Sequence, residues 1–374
     1  MKISHFIYWD FVGGGASVLV SLMRELKRNH QQILFTSGRE TATQGAVKLE
    51  IPIVQVPTSS FFRLFFGVWV LALQLIKHRP DVLVLQGQWS ALFGAIAGKL
   101  AGISRMVYIV HWPAFYTDWD LIRIIRNYLA EKIPCLLVHK VIFLSESNRY
   151  HYVCRQLVHP KKTEVIANCI DPSNMPSVED AERLRAEMNW SKEDVNLVCV
   201  SRITTQKRID WLLHSWKIIS ELNLPAKLWI VGWGLLEDEI AAMIPSLGID
   251  SSCTFLGRSS QGPLFIKAAD IVVVPSMYEG HATVPLEAMA CEKCVIACKV
   301  DGIRESIEHG IDGLLAPPGN HVAMAEAMKN VILNPQLRLQ LALQGRKKVT
   351  KFNRSRTFGS YERIFEEIKH EMDN

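Results

Sequence analysis

The chain has 374 residues, 49% of them hydrophobic and 21% charged, a balance that excludes a disordered chain and a length that favours two domains over a single core. Eight cysteines at uneven spacing make no disulfide framework and suit free thiols in a reducing compartment. The formal charge of +5 is uneven, with 19 Lys and Arg against 10 Asp and Glu through Ile170 and 23 against 27 beyond it, so the front half is the side expected to meet an anionic partner.

Met1 to Asp10 holds no apolar run of signal-peptide length, which sets a cytoplasmic location as the expectation. Strands are predicted at Ile3–Trp9, Gln32–Phe35, Asp81–Gln86, Met106–His111 and Lys140–Leu144. Helical patterns separate them, such as Val18–Leu26, where Leu19, Leu22, Met23 and Leu26 share one face. Phe61–Ile76 is strongly apolar, but Arg63 and Gln74 bracket only ten residues, against about twenty for a membrane span. A helix packed on a sheet is expected there, with aromatic and basic content that also suits an interface. Leu121–Lys132 is a second apolar and basic segment, with Arg123 and Arg126 a turn apart.

Asp171–Asp194, with its prolines and charges, reads as a connection. The pattern then restarts with strands at Asn196–Val200, Ala226–Val231, Cys253–Leu256, Ile271–Pro275 and Cys294–Ala297, and closes on a helix at Arg354–Met372. Alternation of this kind implies βαβ crossovers and parallel sheets. The expected architecture is α/β: two doubly wound, Rossmann-like domains facing across a cleft, residues 1–175 and 176–353, with the helix 354–374 bracing the first. Ligands are expected at the carboxyl ends of the strands.

Three clusters could carry chemistry. Gly13-Gly14-Gly15 lies between a strand and a helix, where free amides attract phosphate. It lacks the G-x-G-x-x-G spacing, and a tight strand–helix turn explains it equally well. Arg202 and Lys207, in SRITTQKRID, can hold a diphosphate and stabilise its charge as it leaves, or simply decorate a solvated turn. Glu279 and Glu287, in PSMYEGHATVPLEAMA, place one carboxylate in a strand-end loop and one in the helix after it. Carboxylates there accept from sugar and ribose hydroxyls, and the helix-start amides can bind phosphate; a buried Glu with structural partners is the alternative.

These pieces, in this order, resemble the retaining glycosyltransferases of family 4, which have the GT-B fold and transfer sugars from nucleotide diphosphate donors. The resemblance spans nearly the whole chain and is densest from Ser201 to Gly319. It rests on Gly14-Gly15, on His111 ending a strand, on SRITTQKRID, on IVGWG at Ile230–Gly234, on the Glu-x7-Glu block, and on DGIRESIEHGIDGLL at Asp301–Leu315. It implies that Arg202 and Lys207 bind the donor diphosphate, that Glu279 contacts the transferred sugar, and that Glu287 contacts the ribose. Backbone groups at Gly14, Gly15, His281, Ala282, Thr283 and Val284 complete those contacts in the family pattern. His111 lies beside the sugar and acceptor, and the base rests near Leu256–Arg258. The chain departs from the pattern at Ser17, where Glu is common, and at Glu292, where Gly is common.

Two further motifs are weighed and set aside. Asp118-x-Asp120 matches the metal motif of the other large glycosyltransferase fold, but Arg202 and Lys207 already supply cationic charge, so a loop or acceptor-side role and no metal cofactor are expected. Cys291, Cys294 and Cys298 lack a fourth ligand nearby and read as small buried hydrophobes rather than a zinc or iron–sulfur site.

The resemblance implies a retaining, metal-independent transfer of a hexose-type sugar, from a UDP-sugar in preference to a GDP-sugar. The acceptor is expected to be a saccharide or lipid-linked saccharide in lipopolysaccharide or other cell-envelope polysaccharide biosynthesis. The enzyme is expected in the cytoplasm, docked peripherally on the anionic inner face of the membrane. On residues alone, a dinucleotide-dependent oxidoreductase and a non-catalytic nucleotide-sugar-binding protein stay open. Nucleic acid is not an expected partner, because the Lys and Arg are scattered and no recognition module is visible.

Overall fold

The computed structural model describes residues 1–8, 14–57, 61–112 and 121–373. Gly13, Asp118 and Asp120 lie outside the described residues. The chain forms two compact units, residues 1–168 with 355–374, and residues 169–354.

In the first unit β1 (Lys2–Ile7), α1 (Gly14–Leu26), β2 (Gln31–Thr36), α2 (Thr41–Lys48), β3 (Ile53–Gln55), α3 (Phe61–His78) and β4 (Val82–Gln86) are followed by α4 (Gln88–Leu100), β5 (Met106–Val110), α5 (Leu121–Leu137), β6 (Lys140–Phe143), α6 (Glu146–Cys154) and β7 (Thr163–Val165). The sheet order is β3-β2-β1-β4-β5-β6-β7 with every neighbouring pair parallel. Strands β4 (VLVLQ) and β5 (MVYIV) bury every residue, as strands covered on both faces must. Leu19, Leu22, Met23 and Leu26 are the buried face of α1. Helix α3 packs through Leu71, Ala72 and Leu75 but leaves Phe66, Trp69, Leu73 and Ile76 exposed, so the expected core packing holds for one face only.

The second unit runs through α7 (Val178–Glu187), β8 (Val195–Val200), α8 (Ile209–Ser220), β9 (Ala226–Val231), α9 (Glu237–Ser246), β10 (Cys253–Gly257) and α10 (Gly262–Ala268). It continues through β11 (Ile271–Val274), α11 (Thr283–Ala290), β12 (Cys294–Cys298), β13 (Leu314–Ala316), α12 (His321–Leu333) and α13 (Pro335–Val349). Its parallel sheet has the order β10-β9-β8-β11-β12-β13. The stretch read as a connection belongs to this unit: Ala181 and Leu184 of α7 are in its core, and Trp190 stacks on Trp229 of β9 at 5.1 Å. In each sheet the strand order reverses beside the first strand, between β1 and β4 and between β8 and β11, which is where a doubly wound sheet opens its ligand crevice.

Cys291, Cys294 and Cys298 are buried, and burial pushes their thiols up to about 11 or 12. Among the described residues, no group of three or more His, Cys, Asp or Glu is placed to hold a metal. Helix α14 (Arg354–Asp373) is grouped with the first unit. It buries Tyr361, Ile364, Phe365 and Ile368, and its Glu362 lies 3.0 Å from His30. Among the described residues no helix is long and apolar enough to cross a membrane.

Glu292, where Gly is common in the family pattern, occupies a constrained position. It follows α11 with φ of 59°, where Glu292 N–H donates to the Met289 carbonyl and Lys293 N–H to the Ala288 carbonyl, a Schellman turn that favours glycine. Its carboxylate is 3.6 Å from Arg346 Nε at the surface, a pair worth a few tenths of a kcal/mol. Glu292→Gly is therefore expected to raise the unfolding free energy by about 0.5–1 kcal/mol. Urea denaturation checks this; a lowered midpoint would mean that the pair with Arg346 outweighs the backbone strain.

Candidate functional site

In the second unit the loops after β8 and β11 meet. Lys207 Nζ makes a close ion pair with Glu279 Oε1, the two side chains being 17% and 8% exposed. Gln206 fixes the meeting, since its carbonyl accepts from Met277 N–H at 2.9 Å and its Nε2 donates to the Tyr278 carbonyl at 2.9 Å. Two motifs separated by 72 positions thus form one group. Arg202 is half-buried two residues past β8, and among the described residues no carboxylate lies within ion-pair distance of it. A nearby cation, Arg208, is already committed, 2.6 Å from Asp210 and 4.2 Å over the Trp211 ring.

Helix α11 begins just after Glu279. Ala282 is its N-cap and provides no side-chain cap, so the amides of the first turn are open to an anionic or hydroxyl ligand. Thr283 and Val284 are half-buried in that turn. Glu287, one turn on, hydrogen-bonds Thr283, and burial raises its carboxyl above the usual range. His281 turns inward, and burial pulls it down to about 4, against the pull of Glu305 and Glu279. Glycine is required in IVGWG: a Cβ at Gly232 would collide with the Ser201 carbonyl, so the segments after β8 and β9 run in backbone contact. Trp233, held there, carries the Arg258 guanidinium at 4.7 Å over its ring.

In the first unit Gly14 and Gly15 open α1, and His111 follows β5. A Cβ on Gly15 would lie 3.5 Å from three His111 ring atoms, so the helix start and the imidazole are in contact. Gln86 closes β4, is 4% exposed, and hydrogen-bonds His111 Nε2 through its Oε1 at 2.8 Å. Burial lowers His111 to about 4. At neutral pH it is a neutral hydrogen-bonding group and carries no charge to a phosphate.

The structure brings together Lys207 with Glu279 and Gly15 with His111, while Glu287 and Arg258 have partners of their own in Thr283 and Trp233. Gln86 and Gln206 were not anticipated. The available signal was a polar residue at the end of an apolar strand run for Gln86, and between two cations for Gln206.

Comparison with known proteins identifies the family and the fold. The family model described as Glycosyltransferase Family 4 matches residues 12–174, and that described as Glycosyl transferases group 1 matches residues 180–348. An uncharacterized glycosyltransferase of Haemophilus influenzae is 24% identical over 92% of this chain and 94% of its own. A lipopolysaccharide core biosynthesis glycosyltransferase of Rhizobium meliloti is 23% identical over 98% of each. The crystal structure of Anabaena HepE in complex with UDP and glucose superposes with a TM-score of 0.87 at 21% identity, covering 98% of this chain and 100% of that one. The chain belongs to the family 4 glycosyltransferases and has their GT-B fold.

The buried histidines predict a pH dependence. His5, buried in β1 and 2.8 Å from Gln32 Oε1, is also lowered to about 4 by burial. A histidine that titrates near 6.5 unfolded and near 4 folded adds stability above pH 6.5, and loses it as pH falls from 6.5 to 4, because the unfolded chain takes the proton first. For His5 and His281 the loss is on the order of 3 kcal/mol each. The urea midpoint is expected to fall steeply across that window. Gln86→Glu, which sets a carboxylate on the His111 ring, is expected to raise the imidazole pKa in NMR titration; an unmoved His111 resonance would remove Gln86 as its partner.

Proposed function

We propose that the chain is a retaining, metal-independent hexosyltransferase that uses a nucleotide diphosphate sugar, a UDP-sugar first. Its acceptor is a saccharide or lipid-linked saccharide of lipopolysaccharide or another envelope polysaccharide. The observation that carries this reading is the Lys207–Glu279 pair, with Arg202 on the same loop as Lys207. It sets a carboxylate for sugar hydroxyls against cations for a diphosphate. The reading is supported by HepE, whose structures include complexes with UDP and with UDP-glucose.

In this reading Arg202 and Lys207 neutralise the diphosphate, and Glu279 accepts hydrogen bonds from the transferred sugar. Glu287 takes the ribose hydroxyls, amides at 281–284 and at Gly14-Gly15 complete the cradle, and the base lies against Arg258. Neutral His111 hydrogen-bonds the sugar. The acceptor oxygen forms its bond to the anomeric carbon as the bond to the diphosphate breaks. The acceptor proton passes to a diphosphate oxygen on the same face, which retains configuration. The protein then works by positioning and by stabilising the leaving charge, with two side-chain cations in the place a divalent ion takes elsewhere.

A panel of UDP- and GDP-sugars, assayed for hydrolysis and transfer in excess chelator, tests this. One donor is expected to turn over, and Lys207→Ala to lower turnover about 10²–10³-fold with the fold intact. No turnover of any donor would leave a binding protein, and loss in chelator restored by manganese would return Asp118 and Asp120 to the role of ligands.

The acceptor side rests on two helices of the first unit. Besides the α3 stripe, α5 exposes Leu121, Ile122, Ile125 and Leu129 together with Arg123 and Arg126, an apolar and cationic face suited to an anionic leaflet. The protein is expected to co-sediment with anionic vesicles at low salt. Arg123→Glu with Arg126→Glu should weaken this at least tenfold, given about 1 kcal/mol per cation. Failure of the unaltered protein to co-sediment would remove the membrane contact and leave the transfer reaction standing.

A further inference from the structure

The loop from β11 to α11 is held from behind by a segment that makes none of the donor contacts assigned above. His281 is 4% exposed, and its Nε2 lies 3.0 Å from the hydroxyl of Ser306, which is wholly buried. That hydroxyl also lies 3.3 Å from the Gly302 carbonyl. Four residues earlier, Gly302 sits at φ of 77° with its Cα pressed to the loop, and a Cβ there would strike the Gly280 carbonyl and come within 2.9 Å of the Glu279 carbonyl. The 302–306 turn therefore grips three consecutive residues, by backbone contact at 279 and 280 and by a side-chain hydrogen bond at 281. On its other side the same loop is tied by Lys207 to Glu279.

His281 has a third neighbour. Its ring lies 5.3 Å from that of Phe352, whose carbonyl accepts from Ile170 N–H at 2.9 Å, while Arg354 lies 3.8 Å from Asp171. Residues 168–171 and 352–355 flank the two places where the chain passes from one compact unit to the other. The imidazole thus links the Glu279 loop to the segment that ties both passages together. A phenyl ring could fill the same space, but the imidazole brings two ring nitrogens into the core, where an unmatched one is costly. Ser306 is the group that matches Nε2.

We infer that Ser306, acting through His281, is a positioning residue that sets the Glu279 loop and with it the affinity for the donor, an inference that rests on the transfer reaction proposed above. The groups that face the imidazole include Ser306, Phe352, Glu279 and Glu305. None of them supplies a cation, and the ring works as a neutral spacer of fixed orientation.

The test compares UDP affinity by calorimetry and donor KM in the unaltered protein, in Ser306→Ala, and in Ser306→Ala combined with His281→Phe. Ser306→Ala leaves Nε2 buried without its hydroxyl, and is expected to weaken UDP binding and raise donor KM about tenfold while acceptor KM stays put. The double substitution removes both polar groups and keeps a ring against Phe352, and is expected to restore UDP affinity to within about threefold. A hydroxyl that served stability alone would move the melting temperature of Ser306→Ala and leave UDP affinity unchanged, and that result overturns the inference. So does a double variant as weak as the single one. Should Ser306→Ala not fold, Ser306→Cys, with its weaker donor, is expected to fall between the unaltered protein and a tenfold loss; unchanged affinity there counts against the inference equally. An unaltered protein that binds no nucleotide sugar would overturn the transfer reading itself, which separates the two failures.

Discussion

Strands that all run parallel cannot be joined by tight turns, so each must be followed by a crossover, and both faces of the sheet must be covered by helices. Both sheets of this chain obey that constraint throughout. Its effect is to disfavour polar side chains in strand interiors and to gather all carboxyl ends along one edge, where helix N-termini also begin. Gln86 ends β4, His111 follows β5, Arg202 follows β8, and Glu279 follows β11. The chemistry sits at these ends because the strand interiors have no room for it. Buried polar residues inside strands, Ser4 and His5 in β1, Gln32 in β2 and Asn196 in β8, show the cost: His5 is kept as a neutral ring bonded to Gln32.

The two units use charge differently. In the second unit an acid and a base, both largely shielded from water, neutralise each other across two loops, so that neither stands as an uncompensated buried charge. Arg202 remains as net positive charge on the same loop, which suits a ligand bearing at least one negative charge. In the first unit the histidine is neutral and bonded to an amide, which suits a hydroxyl-bearing group.

Long apolar strands were legible in the sequence because a strand buried on both faces writes itself as a continuous run; Val82–Gln86 and Met106–Val110 are cases. The edge strands Ile53–Gln55, Thr163–Val165 and Leu314–Ala316 were not legible. Each has three residues and one neighbour, too short a run to stand above the surrounding loops. Helix α7 was hidden by its charged face, which hides the two core residues Ala181 and Leu184. At the site, Glu279, Glu287, Arg202 and Lys207 stood out through spacing, whereas Gln86 and Ser306 act on partners 25 residues away and gain their meaning only when separate strand ends are brought side by side. The close pairing of Lys207 with Glu279 was likewise invisible, since each had been assigned a different part of one ligand.

Helix α14 has a consequence for how the protein comes into being. It supplies the first unit with Phe365 and Ile368 at its core and with Glu362 and Glu371 against His30 and His139, yet it follows the whole of the second unit along the chain. A ribosome therefore delivers β1 to β7, then a complete contiguous second unit, and only then the helix that covers the first. Until that moment the first unit waits with an apolar strip uncovered, while the later-made unit already has every residue it needs. Order of synthesis and order of completion are reversed, and the interval between them is the stretch in which a chaperone has something to hold.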